Sequence, residues 1–427
     1  MSMAAKTGMG ARKKALSIFP ALASRNYQLY FGGQFISLTG TWLQTVAQGW
    51  LVFELTRSAF LIGVVTALSS LPTLMFTLFG GVIVDVLPTR KILLFTQTAS
   101  MALAFILGML TAARVVTVTE IAVLAFLLGV VNAIDSPARQ SFVAEMVDKD
   151  SLGSAIALNS AIFNAARVIG PSIAGILIVY VGTGGAFLIN SASYIAVIAA
   201  LLLMRVQAPA KPVRHHPLRA IKEGISVSFT NPVIRTLLLL TAVTSIFGWS
   251  YTTILPVIAD NIFHAGPSGL GHLYAAAGLG ALTATIIVSA ASSRVGPLWF
   301  ILGGNTLFTC ALLLFTFTQS LYAAMGLLYL CGVGLLMQFS TMNTTIQKQV
   351  ADNVRGRVMS IYILMFIGLS PIGNFEVGYL AEALGPRTAI RAGAVTVFIF
   401  GLLIFLRRKK LSEAHRAYTG TSSEPGA

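Results

Sequence analysis

Long charge-free apolar stretches alternate with short charged ones along almost the whole chain. A bilayer core of about 30 Å needs roughly 20 apolar residues at 1.5 Å each in helical form. Single stretches of that order run over residues 28–53, 58–84, 92–113 and 236–259. Two longer stretches must each hold a pair of helices. Residues 168–204 break at Gly182-Thr183-Gly184-Gly185, and residues 295–347 break at Thr318-Gln319-Ser320. Shorter spans end near Asp135, start near Ser154, and centre on residues 280, 370 and 398. The pattern predicts an all-α polytopic membrane protein with twelve transmembrane helices in two six-helix bundles.

Composition agrees with that pattern. Of 427 residues, 56% are hydrophobic and 10% charged, with mean hydropathy +0.82. An ordinary soluble domain carries about a quarter charged residues, so a cytosolic enzyme is excluded. The net charge of +15 would suit a nucleic-acid binder only if the charges shared a face, and they punctuate the spans instead. Of 29 Lys and Arg, 24 fall in segments predicted to be cytoplasmic. Four (Arg57, Arg114, Arg387, Arg391) fall in predicted external segments, and Arg167 falls inside a span. That asymmetry predicts both termini in the cytoplasm. The first span is too long for the apolar core of a leader and no small-residue cleavage site follows it, so no leader peptide is expected. Cys310 and Cys331 sit in apolar stretches and read as buried small hydrophobes.

The expected organisation is a cytoplasmic segment over 1–25, a first half over 26–206, a linker over 207–233, a second half over 234–410, and a disordered tail over 411–427. In the linker, Leu218, Ile221, Ile225 and Phe229 recur at helical spacing and predict an interfacial helix. His215 and His216 there fit either a metal site or a solvated basic loop, and no metal is assigned to them. A weak repeat at an offset of 203 residues aligns Val147–Gly153 with Val350–Gly356, and Gly170 and Gly175 with Gly373 and Gly378. Parallel six-helix repeats are one way to build a secondary transporter.

Between spans two and three lies Gly80-Gly81-Val82-Ile83-Val84-Asp85-Val86-Leu87-Pro88-Thr89-Arg90-Lys91. It resembles the loop motif of the major facilitator superfamily, with Pro88 where many members have glycine. The resemblance implies a conformational latch of Gly81, Asp85, Arg90 and Lys91. The second-half counterpart at Ser292-Ser293-Arg294 lacks the acid, so such a latch is asymmetric. Further segments narrow the likeness: Gly40-Thr41-Trp42-Leu43-Gln44, Asp135-Ser136-Pro137-Ala138-Arg139-Gln140, Asn164–Pro171 and Arg355–Ser360. Together these are similar to the enterobactin-exporter branch, whose members export siderophores, macrolides and other drugs. That resemblance implies a bacterial inner membrane as the location.

Arg167 lies about 20 Å into span five, near mid-membrane, where a charge is costly and marks a pathway. It reads as an anchor for an anionic or carbonyl-bearing substrate, as a charge partner that changes between states, or as a static partner of a carboxylate such as Asp135 or of helix carbonyls. Gly170, Pro171 and Gly175 beyond it resemble the span-five motif of antiporters, where they permit a bend and close packing. Glu376 is the one carboxylate well inside a predicted span. It reads as a proton carrier, or as a carboxyl kept protonated or bonded to a neighbour; Glu376, Arg167 and Asp135 are the candidates for proton coupling or a charge relay. The family architecture lines its cavity with spans one, four, seven and ten. That nominates Gln44 and Gln48, one helix face apart, with Arg167, Trp249 and Tyr251 as substrate contacts.

No phosphate-binding glycine loop is visible, so no ATP drive, catalytic residue, cofactor or metal is expected. The expected partners are a small-molecule substrate, protons and membrane lipids, with no nucleic acid and no obligate protein partner. The predicted function is export of a small amphipathic or aromatic compound by proton antiport with alternating access. A metabolite importer or facilitator on the same fold, and a non-transporting membrane receptor or scaffold, are the alternatives.

Overall fold

A computed structural model describes residues 19–204, 225–350 and 352–407. Expectations for the N-terminal segment, most of the linker (including Leu218, Ile221 and the paired histidines) and the C-terminal tail lie outside the described residues. Within the linker, residues 225–230 are helical.

Hydrocarbon offers backbone amides no partner, so every crossing closes its own hydrogen bonds as a helix. Among the described residues, ten stretches are long and apolar enough to cross a bilayer. One of them, Leu152–Leu203, is 52 residues long and crosses twice. Arg25–Thr56 crosses as well, its apolarity diluted by Gln28, Gln34, Gln44 and Gln48. The described residues therefore hold twelve crossing helices. They are α1 Arg25–Thr56, α2 Ala59–Val86, α3 Thr89–Ala112, α4 Val118–Glu145, α5 (152–181) and α6 (183–203). Then come α7 Pro232–Asn261, α8 Gly266–Ala291, α9 Pro297–Phe315, α10 Leu321–Gln349, α11 Val354–Leu384 and α12 Pro386–Leu406.

Local chemistry sets the turns. Gly182, at φ 68°, is the one non-helical residue between α5 and α6, inside the predicted break. Only glycine takes that conformation without steric cost. The α4 start is a capping box, in which Thr117 accepts from the Glu120 amide and Glu120 reaches back to the Thr117 amide. Asn231 caps α7 through the amides of Val233 and Ile234, and Ser320 caps α10 through Ala323.

Two sequence expectations change. Helix α4 does not give way to a loop near Asp135 but runs on to Glu145, about 15 Å further. Asp135 is thus a second helical carboxylate beside Glu376, with Arg139 one turn on in the same helix. Cys331 is buried as expected, but Cys310 is exposed on the outer face of α9.

The chain divides into two compact units. Unit one comprises Met1–Gln48 and Met75–Arg214, and unit two comprises Gly49–Leu74 with His215–Ala427. The second unit thus takes in the end of α1 and the start of α2. Arg57 bonds Asp260 at 2.5 Å, and Glu382 accepts from Ser58 Oγ at 3.1 Å and the Phe60 amide at 3.2 Å. At Gly63 an added Cβ would meet the Asn374 carbonyl and Gly378, so small residues let α2 and α11 touch backbone to backbone.

Candidate functional site

In unit one a polar network is enclosed among apolar helices. Asp135 on α4 is 1% exposed. Its Oδ1 accepts from Thr96 Oγ1 at 2.7 Å and Gln97 Nε2 at 2.8 Å, both on α3. Its Oδ2 is paired with the Arg139 guanidinium one turn on. Ser37 on α1 donates to Gln97 Oε1 at 3.5 Å, extending the network across three helices. Around it Tyr30 Oη, Gln34 Nε2 and Arg139 Nε are buried donors with no partner among the described residues. Donors left in that state cost free energy unless water or a ligand reaches them.

The loop motif is held by its basic residue. Arg90 Nε donates to the Leu201 carbonyl at 2.8 Å and Nη2 to the Leu202 carbonyl at 3.1 Å. It thereby satisfies orphan carbonyls at the end of α6 and places a cation at a helix C-terminus. Thr89 Oγ1 donates to Glu145 at 2.7 Å, tying the start of α3 to the end of α4. Gly81 is half-buried and Lys91 exposed. The Asp85 side chain lies outside the described residues.

The other nominated residues of this unit separate. Gln44 is 4% exposed, and its Oε1 accepts from Asn190 Nδ2 on α6 at 2.5 Å. Gln48, one turn on, is half-buried. Arg167 is half-buried on α5, and Asp135 takes Arg139 rather than Arg167 as its cation. Dihedrals stay helical through Gly170-Pro171. An added Cβ at Gly170 would meet Trp42 Cβ and the Thr39 carbonyl, so this glycine serves close approach to α1. Pro171 and Gly175 are buried beside it.

In unit two, α7 and α11 both leave α-geometry at mid-helix. Helix α7 widens to a π segment over Thr244–Gly248, then tightens to a 3-10 segment over Trp249–Ile254. Helix α11 carries its own π segment at Leu364–Gly368. The two are joined where Ser245 Oγ donates to the Phe366 carbonyl at 2.6 Å, a carbonyl that the wider turn leaves available. Four rings gather there: Phe366 lies 4.5 Å from Phe339, 6.1 Å from Trp249 and 6.2 Å from Tyr362, centroid to centroid. Trp249 is half-buried in this cluster, whereas Tyr251 is 4% exposed and packs on Phe308. Glu376 is half-buried on α11 two turns beyond the π segment, between Asn374, which accepts from Thr253 Oγ1, and Gly378. It makes no hydrogen bond or ion pair among the described residues.

A family model described as transmembrane secretion effector, within the major facilitator superfamily, matches residues 17–424. The chain belongs to that family. The staphyloferrin A transporter of Staphylococcus aureus is 28% identical over 398 residues, covering 90% of this chain and 98% of that one. The multidrug efflux pump Tap of Mycolicibacterium fortuitum is 24% identical, covering 86% and 92%. The enterobactin exporter EntS of Shigella boydii is 23% identical, covering 89% and 91%. Among solved structures, a bacterial homologue of the lysosomal transporter Spinster superposes with a TM-score of 0.70 at 14% identity, covering 94% and 98%. A POT family transporter superposes at 0.73 and 12%, covering 91% and 96%. Those likenesses show the fold. The family and the relatives are transporters, not enzymes.

Sequence reasoning missed Thr96, Gln97, Arg139 and Asn190, and it missed the two π segments. For Arg139 a signal existed: an acid and a base four apart can neutralise each other on one helix face, so both can stay inside a span. The π segments carry no such mark.

Proposed function

We propose that this transporter exports a small amphipathic or aromatic compound, drug-like or siderophore-like, by alternating access coupled to inward proton flow. It works in a bacterial inner membrane with both termini in the cytoplasm. The relatives' names, siderophore and multidrug transport, support the cargo class. The observation that carries the reading is the Asp135–Arg139 pair held inside a transmembrane helix, with Glu376 half-buried in another. Ionisable groups are kept in a membrane interior at a cost, which a static scaffold has no reason to bear. Asp135 and Glu376 are the proton-exchanging groups. Arg139 and Arg167 are the charges that respond to them, and Arg90 and Lys91 with Asp85 form the cytoplasmic latch. In unit two the aromatic cluster around Trp249 and Phe366 supplies apolar faces for the cargo.

The test uses proteoliposomes with an imposed pH gradient, ethidium as the aromatic probe and citrate as the carboxylate probe. Uptake against the gradient is expected for at least one probe, lost on adding a protonophore and lost in Glu376→Gln or Asp135→Asn. Transport unchanged after the gradient collapses overturns the coupling. Movement of neither probe in an orientation-controlled preparation overturns the cargo class.

A further inference from the structure

Unit two carries a cavity that the transport reading does not use. Where α7 ends, α9 turns into α10 and α11 turns into α12, the loops line an open cavity of about 790 Å³. Its walls include Asn261, His264, Gln319, Arg387, Thr388 and Arg391, and no Asp or Glu is among the lining residues. A volume of that size holds a small organic ligand or a lipid headgroup.

The two arginines are set in place before any ligand arrives. Arg387 Nη2 donates to the Thr318 carbonyl at 2.7 Å. Arg391 Nε donates to Thr316 Oγ1 at 2.8 Å and Nη2 to the Thr316 carbonyl at 3.2 Å, while its guanidinium lies 4.2 Å from the Phe317 ring centroid. Each guanidinium has five N–H donors, so these anchors leave several on each. The residues sit one turn apart on α12, where like charges repel. They also flank a helix N-terminus that begins at Pro386 and adds positive potential of its own. Charge of one sign gathered around a concave wall without a counter-charge disfavours the empty state and favours an anion.

Topology sharpens the point. Of the four basic residues on this side of the membrane, Arg57 is paired with Asp260 and Arg114 stands exposed in a turn, and the other two are both in this cavity. The positive-inside bias selects against them here, so something other than topology keeps them.

We infer that the cavity receives an anionic oxyacid group, carboxylate or phosphate, presented by a lipid headgroup or by a free solute. Bidentate guanidinium donors match both. The side of the membrane rests on the proposed topology, but binding itself rests only on the cavity, so it is measured without transport.

Full-length protein is purified in detergent, and its thermal melting is followed with citrate or inorganic phosphate at fixed ionic strength. In parallel it is placed in nanodiscs of phosphatidylcholine alone or with phosphatidylglycerol. Arg387→Gln/Arg391→Gln removes the donors but also their anchors on the α9–α10 turn. Thr388→Glu leaves the anchors in place and sets a carboxylate beside both guanidiniums, so it carries the test. A saturable solute-induced rise in melting temperature, with half-saturation at least roughly tenfold higher in both variants, assigns a free solute. Stabilisation by phosphatidylglycerol alone, absent in both variants, assigns a lipid headgroup. A rise of equal size and midpoint in wild type and Thr388→Glu, or no response to either probe in wild type, overturns the inference.

Discussion

Replacing Arg139 by Gln removes one partner of a charge pair that the membrane helices enclose. Asp135 is 1% exposed and would keep only the neutral donors Thr96 and Gln97. At an effective dielectric constant near 20, two unit charges 4 Å apart attract by about 4 kcal/mol. Breaking such a pair from one side typically costs 3–5 kcal/mol. The expected destabilisation is therefore about 3–5 kcal/mol. Asp135→Asn should cost a similar amount, since its carboxamide NH₂ would then face the Arg139 donors. The double variant Asp135→Asn/Arg139→Gln carries no buried charge and allows an amide pair, so it should lose less than either single variant. The assay is a thermal and denaturant melt in detergent, followed by size-exclusion chromatography, as a double-mutant cycle. Losses that simply add, or an Arg139→Gln variant within 0.5 kcal/mol of wild type, a margin that surface substitutions reach, would refute the pairing as the stabilising element.

Other consequences are smaller or more local. The Arg57–Asp260 pair has side chains 63% and 30% exposed, so Arg57→Ala should change stability by under about 1 kcal/mol, measured by melts at low and high salt. Gly280 and Gly332 let α8 and α10 touch, because a Cβ at either would strike the carbonyl of Tyr329 or Ala277. Gly332→Val should destabilise by about 1–3 kcal/mol in the same melt, while a valine at Gly326, where an added Cβ meets open space, should not. Asn190→Ala leaves the Gln44 amide buried and unpaired, and about 1–3 kcal/mol should be lost. A Gln44→Leu/Asn190→Leu pair should recover most of it if burial is the cause.

The legible part of this protein is the part that hydrocarbon dictates. Crossing number and the breaks at Gly182 and at Thr318-Gln319-Ser320 follow from apolar length and turn residues, and each can be read one segment at a time. The end of α4 shows where that reading stops. Asp135 and Arg139 look like the start of a charged loop because a linear count treats each as a cost. Folding offsets part of both costs at once through the i, i+4 pair and two α3 donors. Gln44 looked like a cavity amide for the same reason, since nothing near it in the chain announces Asn190, 146 positions away.

What the amino-acid order alone determined is how many helices cross and where they start, because a bilayer tests each stretch independently for length and apolarity. Which polar groups meet inside, the joining of the unwound turns of α7 and α11 at Ser245, and the gathering of two arginines around one cavity were decided only by tertiary packing. The physical reason is that a buried polar side chain is defined by its partners, and those partners come from other helices.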